Sequence, residues 1–406
     1  MARVGDAIAR ARSFAVAARA VFEVALHRAA GALVVGLVAM MVIESHAQSS
    51  DEPAKIVERD VRPMLEDAGG IAVALRENGR TRFFNYGNGD RERPITSDAL
   101  FNLGSVAKVF DTSLLALADE QGELKLDDLV ANYVTELQQG GDIRRITLQQ
   151  LATYTSGFVL PGDHPPWGGK TFTLQEFIAT LNAWHSDEQH QPGAHKIYSH
   201  AGFILMHLAL ERRFGLPFDE LMRQRLLRPL GLRSTTLPTA SSDPKQDPQG
   251  VIPEAFARRA VQGYSEHDEP IGSPGNLQGY YHWLGTGQMY SSARDMAAFL
   301  AANLGELPDQ PAIQEAMRRA QQTTFPMDKH TDQALAWEVH KGRETIVDKF
   351  GGLNNASAYI GLIPDKKVGI VLLSNRGDMD LARAGRRIVR ALARREDPHR
   401  ILEHGG

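Results

Sequence analysis

Apolar residues Val106, Val109, Phe110, Leu114, Leu117 and Ala118 recur at the spacing of one helix face, and Gln121-Gly122 ends the run where a C-terminal glycine is expected. Before it, Lys55 to Asp67 has the same period, and Ile71 to Leu75 with Arg80 to Tyr86 flank Asn78-Gly79, a strong hairpin turn. From Leu126 to about Pro274 the pattern becomes helical and loop-rich, with Thr173 to Leu181 and Phe203 to Phe214 as its clearest helices. Strands return late, Ala358 to Ile363 and Val368 to Ser374 about the turn Pro364-Asp365-Lys366-Lys367, and a helix from about Leu381 to Arg394 closes the pattern. The two halves of the sheet therefore come from opposite ends of the chain, which predicts an α+β fold. The longest irregular piece, roughly Leu237 to Pro253, reads as a surface loop.

The N-terminus changes the expected location. A basic leader with Arg10, Arg12, Arg19 and Arg28 precedes an apolar run from Ala29 to Ile43, then Ser45-His46-Ala47. That order reads as an export signal over residues 1–47, cleaved after Ala47, and predicts a periplasmic or secreted protein. The run is 15 residues long, short of the ~20 needed to cross a bilayer, so stable membrane insertion is not expected. With 406 residues, 43% of them hydrophobic, and a formal charge of −4, the chain has ample material for a core. No charge excess points to nucleic acid; the run Arg383, Arg386, Arg387, Arg390, Arg394 and Arg395 reads as a solvated helix face. A monomer is the default.

There is no cysteine, which excludes disulfides, thiolate metal sites and a cysteine nucleophile together. His185, His190, His195 and His200 recur every five residues, a spacing that scatters side chains around a helix, and Pro192-Gly193 interrupts them. No metal site is expected there, nor any cofactor elsewhere. No H-E-x-x-H, glycine-rich phosphate loop or G-x-S-x-G elbow is present.

The candidate chemistry lies at the start of the first strongly periodic helix. Ser105 and Lys108 put a hydroxyl and an amine one helical turn apart. A lone serine is a poor nucleophile near neutral pH, and an adjacent amine supplies the base without histidine. Backbone N–H groups at a helix start are unpaired, so one can meet an oxyanion forming beside the serine. A second S-x-x-K at Ser242-Asp243-Pro244-Lys245 is a decoy, because Pro244 would break the helix that should hold the pair together. Two further segments complete the set: Lys196-Ile197-Tyr198-Ser199-His200 offers a phenol, and Asp348-Lys349-Phe350-Gly351-Gly352 a second cation.

The order S-x-x-K, Y-x-N-like, K-x-G resembles the serine β-lactamase and penicillin-binding-protein superfamily, particularly the class C β-lactamases. The resemblance runs from about Pro53 to Leu392 through Val61 to Met64, Gly122 to Asp128, Leu151 to Gly157, Arg228 to Leu232 and Tyr359 to Asn375. It implies a mixed antiparallel sheet flanked by helices beside an all-helical subdomain. Residues 48–125 and 275–406 would form the α/β part, and 126–274 the helical part. It also implies Ser105 as nucleophile, Lys108 as its base partner, Tyr198 as general acid/base and Lys349 as the third-motif cation. The backbone N–H groups of Ser105 and Gly352 would form the oxyanion hole, and His200, Phe350, Gly351 and Asn375 would contact substrate. The implied substrate is a small molecule: a β-lactam, or an ester or D-amino-acid peptide on the same scaffold. A silent module that senses peptidoglycan fragments is a further alternative, against which the retention of all four catalytic groups argues. Two positions depart from the pattern. His200 stands where asparagine is usual, and Phe350 replaces a threonine or serine whose hydroxyl would help hold a β-lactam carboxylate.

Overall fold

The computed structural model describes residues 52–65, 69–90, 92–158, 173–239, 251–275, 289–307 and 309–395. The expected export signal and the decoy at Ser242 to Lys245 lie outside the described residues. The chain divides into two compact units, Met1–Glu58 and Arg59–Gly406. Of the first, residues 52–58 are described and are helical, within α1 (52–61). All that follows concerns the second unit.

An eight-stranded sheet organises it, in the order β2-β1-β10-β9-β8-β7-β6-β5. The hairpin β1 (Gly70–Glu77) and β2 (Arg80–Gly87) turns through Asn78 and Gly79, both at positive φ (50° and 71°), the backbone that a two-residue turn of this type requires. A short two-stranded sheet pairs β3 (Leu100–Asn102) with β4 (Tyr290–Ser292). The remaining strands are β5 (Phe325–Pro326), β6 (Thr331–Gln333), β7 (Glu338–His340), β8 (Ile346–Leu353), β9 (Ala356–Ile363) and β10 (Val368–Ser374). Every pairing in the large sheet is antiparallel, and β1 lies against β10, joining the two ends of the sequence as expected. The short strands β5 to β7 carry no alternation long enough to read from sequence.

Between β3 and β4 come α2 (Ala107–Glu120), α3 (Leu148–Ala152), α4 (Leu174–Asn182), α5 (His200–Phe214), α6 (Phe218–Met222) and α7 (Glu254–Ala257). Thr147 and Thr173 cap α3 and α4 with reciprocal side-chain bonds, and Gly215 at φ 67° ends α5. After β4, α8 (Ala293–Asn303) and α9 (Pro311–Ala320) follow, and α10 (Leu381–Ala393) comes after β10.

Every residue of β9 and β10 is buried, so both faces of the central sheet are covered. On one face Ala358, Ile360 and Leu362 join the main apolar cluster with Val109, Phe110 and Phe299, and the Phe110 and Phe299 rings stack at 3.8 Å. On the other, α10 lays down Leu381, Ala384, Gly385, Ile388, Val389 and Leu392, one helix face. Tyr359 crosses to it, and a Cβ on Gly385 would lie 2.1 Å from its ring.

Candidate active site

Leu103 to Val106 form the turn that delivers Ser105. Gly104 adopts φ 48° there, and a 3-10 turn (Gly104–Val106) runs directly into α2. Val106, Val109, Phe110 and Leu114 are fully buried, and their burial in the main apolar cluster fixes how α2 is rotated. Lys108, one turn after Ser105, is fully buried too. The other wall is the end of β8. A Cβ on Gly351 would lie 2.3 Å from the Leu103 carbonyl, 2.7 Å from the Val106 nitrogen and 2.8 Å from the Ser105 nitrogen. The strand therefore meets the serine turn backbone to backbone, which only glycine permits. A Cβ on Gly104 would in turn lie 3.2 Å from the Gly352 nitrogen, so the serine turn and the end of β8 lie in mutual backbone contact.

Tyr198 completes the group: its hydroxyl lies 2.5 Å from Ser105 Oγ. Three segments distant in sequence hold it there. The Ile197 N–H donates to the Tyr154 carbonyl (2.7 Å), the Gly193 N–H to the Thr155 carbonyl (2.7 Å), and the Ala336 N–H to the Ala152 carbonyl (2.8 Å). Ser199 then caps α5, accepting from the Gly202 N–H. Lys196 binds Glu338 at 2.6 Å. Burial pushes the Glu338 carboxyl up, but the Lys196 hydrogen bond and charge more than offset this and hold it below the usual glutamate value.

Lys349 reaches inward from β8. Its Nζ donates to the Tyr154 hydroxyl at 2.9 Å and lies 5.4 Å from the centre of the Tyr198 ring. Burial pulls its pKa to about 8, the Tyr198 charge working against this and the Lys108 charge with it. At neutral pH it is still mainly an ammonium.

Tyr154 is the residue that sequence reasoning did not single out. It is 1% exposed, its ring stacks on Tyr198 at 4.8 Å, and burial pushes its phenol well above the usual tyrosine value. Its φ is 59°, a left-handed backbone that a bulky side chain rarely adopts and that must be enforced by its surroundings. The stretch Leu151 to Gly157 had signalled the superfamily, but nothing local marks Tyr154 as the partner of a lysine 195 residues away.

The expected substrate contacts divide. Phe350 is 39% exposed and leans over Gly352, its ring 3.1 Å from where a Cβ there would sit. His200 is 3% exposed and turns Nδ1 toward Lys108 Nζ at 3.4 Å, so this ring faces the buried lysine and not the open side. Asn375 is corrected outright. It is fully buried, its Oδ1 accepts from the Gly70 N–H at 2.8 Å, and its Nδ2 donates to the Asn88 and Gln262 carbonyls. With both ends of the amide so engaged it is a strut between β1 and the loops beside it. Asn375→Ala is expected to lower unfolding free energy by about 2–4 kcal/mol, since it orphans several buried backbone groups, with little change in KM; urea denaturation and steady-state kinetics read the two.

Glu338, His340 and Asp348 bring ligand-type atoms within 4.8 Å of one another. The place is held by a protein cation: Arg386 Nε donates to Asp348 Oδ2 at 2.5 Å, and its Nη2 lies 2.8 Å from His340 Nε2. Burial raises the Asp348 carboxyl, but hydrogen bonds from His340 and Arg386 win and lower it. Tyr359 adds a hydroxyl donor at 2.9 Å. The cluster ties β7, β8 and α10 together behind Lys349.

An antiparallel sheet flanked by helices, with S-x-x-K, tyrosine and K-x-G residues gathered beside its strand β8, defines the serine β-lactamase and penicillin-binding-protein-like superfamily. The chain belongs to the Beta-lactamase family, whose family model matches residues 57–394. It is 28% identical over 360 residues to a β-lactamase of Pseudomonas fluorescens, covering 79% of this chain and 93% of that protein. It is 29% identical over 369 residues to a β-lactamase of Escherichia coli K12, covering 81% and 90%. Among solved structures, a class C β-lactamase superposes with a TM-score of 0.71 at 23% identity, over 85% of this chain and 98% of that one. The D-alanine carboxypeptidase AmpC from Burkholderia cenocepacia gives 0.70 at 25%, over 84% and 99%.

Proposed function

We propose that the protein is an exported serine hydrolase that opens the β-lactam amide through an acyl-enzyme on Ser105. The 2.5 Å contact between Ser105 Oγ and the Tyr198 hydroxyl carries this reading. Tyr198 takes the serine proton as Oγ attacks the carbonyl carbon and gives it to the departing nitrogen. The buried ammonium of Lys349 and the amine of Lys108 surround the phenol and favour negative charge on its oxygen as the proton passes. The carbonyl oxygen, negative in the tetrahedral intermediate, is received by the Ser105 and Gly352 N–H groups, each such donor being worth about 2.7–4 kcal/mol of barrier. Water then releases the acyl group, Tyr198 acting in reverse. Intact mass after incubation with penicillin tests this: the free mass returns while drug is consumed. A stable adduct supports a peptidase-like enzyme, and an unmodified chain with intact drug refutes acylation.

A second reading, hydrolysis of neutral esters or D-amino-acid peptides, is favoured by Phe350. Its half-open apolar ring stands in the sequence where the resemblance expects a hydroxyl to meet a carboxylate, and Lys349 gives one of its three donors to Tyr154. Phe350→Thr is expected to raise kcat/KM for a carboxylate-bearing cephalosporin about tenfold relative to a short nitrophenyl ester, the worth of one hydrogen bond to a charged group. An unchanged ratio of the two would dismiss the missing hydroxyl as a determinant.

A further inference from the structure

His200 and Lys108 present an arrangement that an asparagine at position 200 could not. Lys108 is fully buried, His200 is 3% exposed, and Nζ and Nδ1 are 3.4 Å apart. Two protonated cations cannot share a buried site at that distance, and a hydrogen bond between two nitrogens needs one donor and one acceptor. An amide oxygen could only accept; an imidazole nitrogen can also keep the proton.

We propose that Lys108 and His200 share a single proton, His200 acting as a positioning residue that holds the proton Lys108 gives up before acylation. The inference rests on the acylation reading above for its kinetic consequence, though not for its geometry. The balance is simple. An Nζ–H proton of the Lys108 ammonium passes to His200 Nδ1, leaving a neutral amine and an imidazolium. With Lys108 held neutral, its lone pair can accept from the Tyr198 hydroxyl, and Tyr198 takes the Ser105 proton as the Oγ–carbonyl bond forms and gives one to the departing nitrogen, so the pair never holds two protons. When the leaving group has taken that proton, the imidazolium returns its own to Lys108. No other reactant is needed.

The surroundings suit one shared charge. Around the pair are Ser105 in the turn before α2 and, one turn beyond Lys108 on α2, Asp111; before and along α5 are Tyr198 and His207; from β8 comes Lys349, and from the loop after α3 Tyr154. Phe203 places its ring 5.3 Å from Lys108 Nζ, and Lys196 with Glu338 lies beyond Tyr154. Asp111 is fully buried with His207 Nε2 3.1 Å from its Oδ2. Lys108 with His200 and Asp111 with His207 thus form two successive rungs between the same two helices. Lys349, whose charge and that of Lys108 oppose each other, works against a second proton on the upper pair.

Nitrogen-15 NMR of ring-labelled histidine tests the shared proton without any substrate, His200→Asn identifying the signal by its loss. In the native enzyme His200 is expected to take its proton at lower pH than in Lys108→Met, the proton affinity rising about tenfold or more once the competing cation is gone. The same titration in both overturns the proposal. For the kinetic consequence, a protonated His200 cannot accept, so activity is present above the imidazole titration and lost as pH falls through it, within roughly pH 5–8. In His200→Asn nothing can hold the proton that Lys108 gives up, so the acid limb of kcat/KM should move up toward the lysine's own titration by about one pH unit or more, with His200→Gln as a second variant should Asn fold poorly. An acid limb common to all three proteins is equally fatal. If the native enzyme turns over neither a cephalosporin nor an ester, the acylation reading fails, and the NMR comparison still decides the shared proton.

Discussion

Ser105→Ala should leave a folded protein that penicillin no longer labels and that turns over substrate at least ~10³-fold more slowly, because the covalent route is gone. The change removes one small, partly exposed hydroxyl, so stability should move by less than about 1 kcal/mol. That separation makes the experiment sharp: intact mass reads the adduct and thermal unfolding reads the fold. Tyr198→Phe provides the contrast. It keeps the nucleophile and both lysines but deletes the hydroxyl 2.5 Å from Ser105 Oγ, so labelling should persist with its rate down ~10²–10⁴-fold. An adduct of undiminished yield on the alanine variant would place the nucleophile elsewhere and remove the basis of the mechanism.

Gly351→Ala is the second large effect, and it acts through backbone alone. The added methyl would press on the Leu103 carbonyl and on the Val106 and Ser105 nitrogens, at 2.3, 2.7 and 2.8 Å. None of these can rotate away as a side-chain tip could. The strand end must back off from the serine turn, at about 1–3 kcal/mol of stability. Where the Ser105 and Gly352 N–H groups form the proposed oxyanion hole, a displacement near 1 Å at such donors costs ~10²-fold in kcat/KM. Gly352→Ala makes the comparison: its Cβ would meet only the movable Phe350 ring, at 3.1 and 3.3 Å, and should cost far less. Equal losses in the two variants would show that the close approach of β8 to Ser105 does not set the geometry of the hole.

These two expectations draw on different kinds of information. Ser105 and Tyr198 were legible because S-x-x-K on a helix start and a Y-x-N-like triplet are local patterns, and the fold brings them to 2.5 Å. The demand on Gly351 was not, since it arises from a distant turn in which the Leu103 carbonyl lies under the strand. Asn375 shows the same limit in reverse. Standing at the end of the last strand, it had been assigned to substrate, yet its amide is consumed by Gly70, Asn88 and Gln262. Which way a polar side chain at a strand end turns depends on which loops arrive beside it, and periodicity carries no record of that.

By itself the amino-acid sequence determined the helix that follows Ser105, the Asn78-Gly79 hairpin, the late strand pair, α10 and the candidates for the reacting groups. Each depends on residues within a turn or two of one another, where spacing, capping and turn chemistry are complete. Tertiary structure alone decided that Lys349 is buried against a tyrosine held at φ 59°, that His200 faces Lys108, and that Arg386 fills the Glu338, His340 and Asp348 cluster. Those outcomes come from contacts between segments tens to hundreds of residues apart, and their charge states follow from burial, which exists only once the chain has closed on itself.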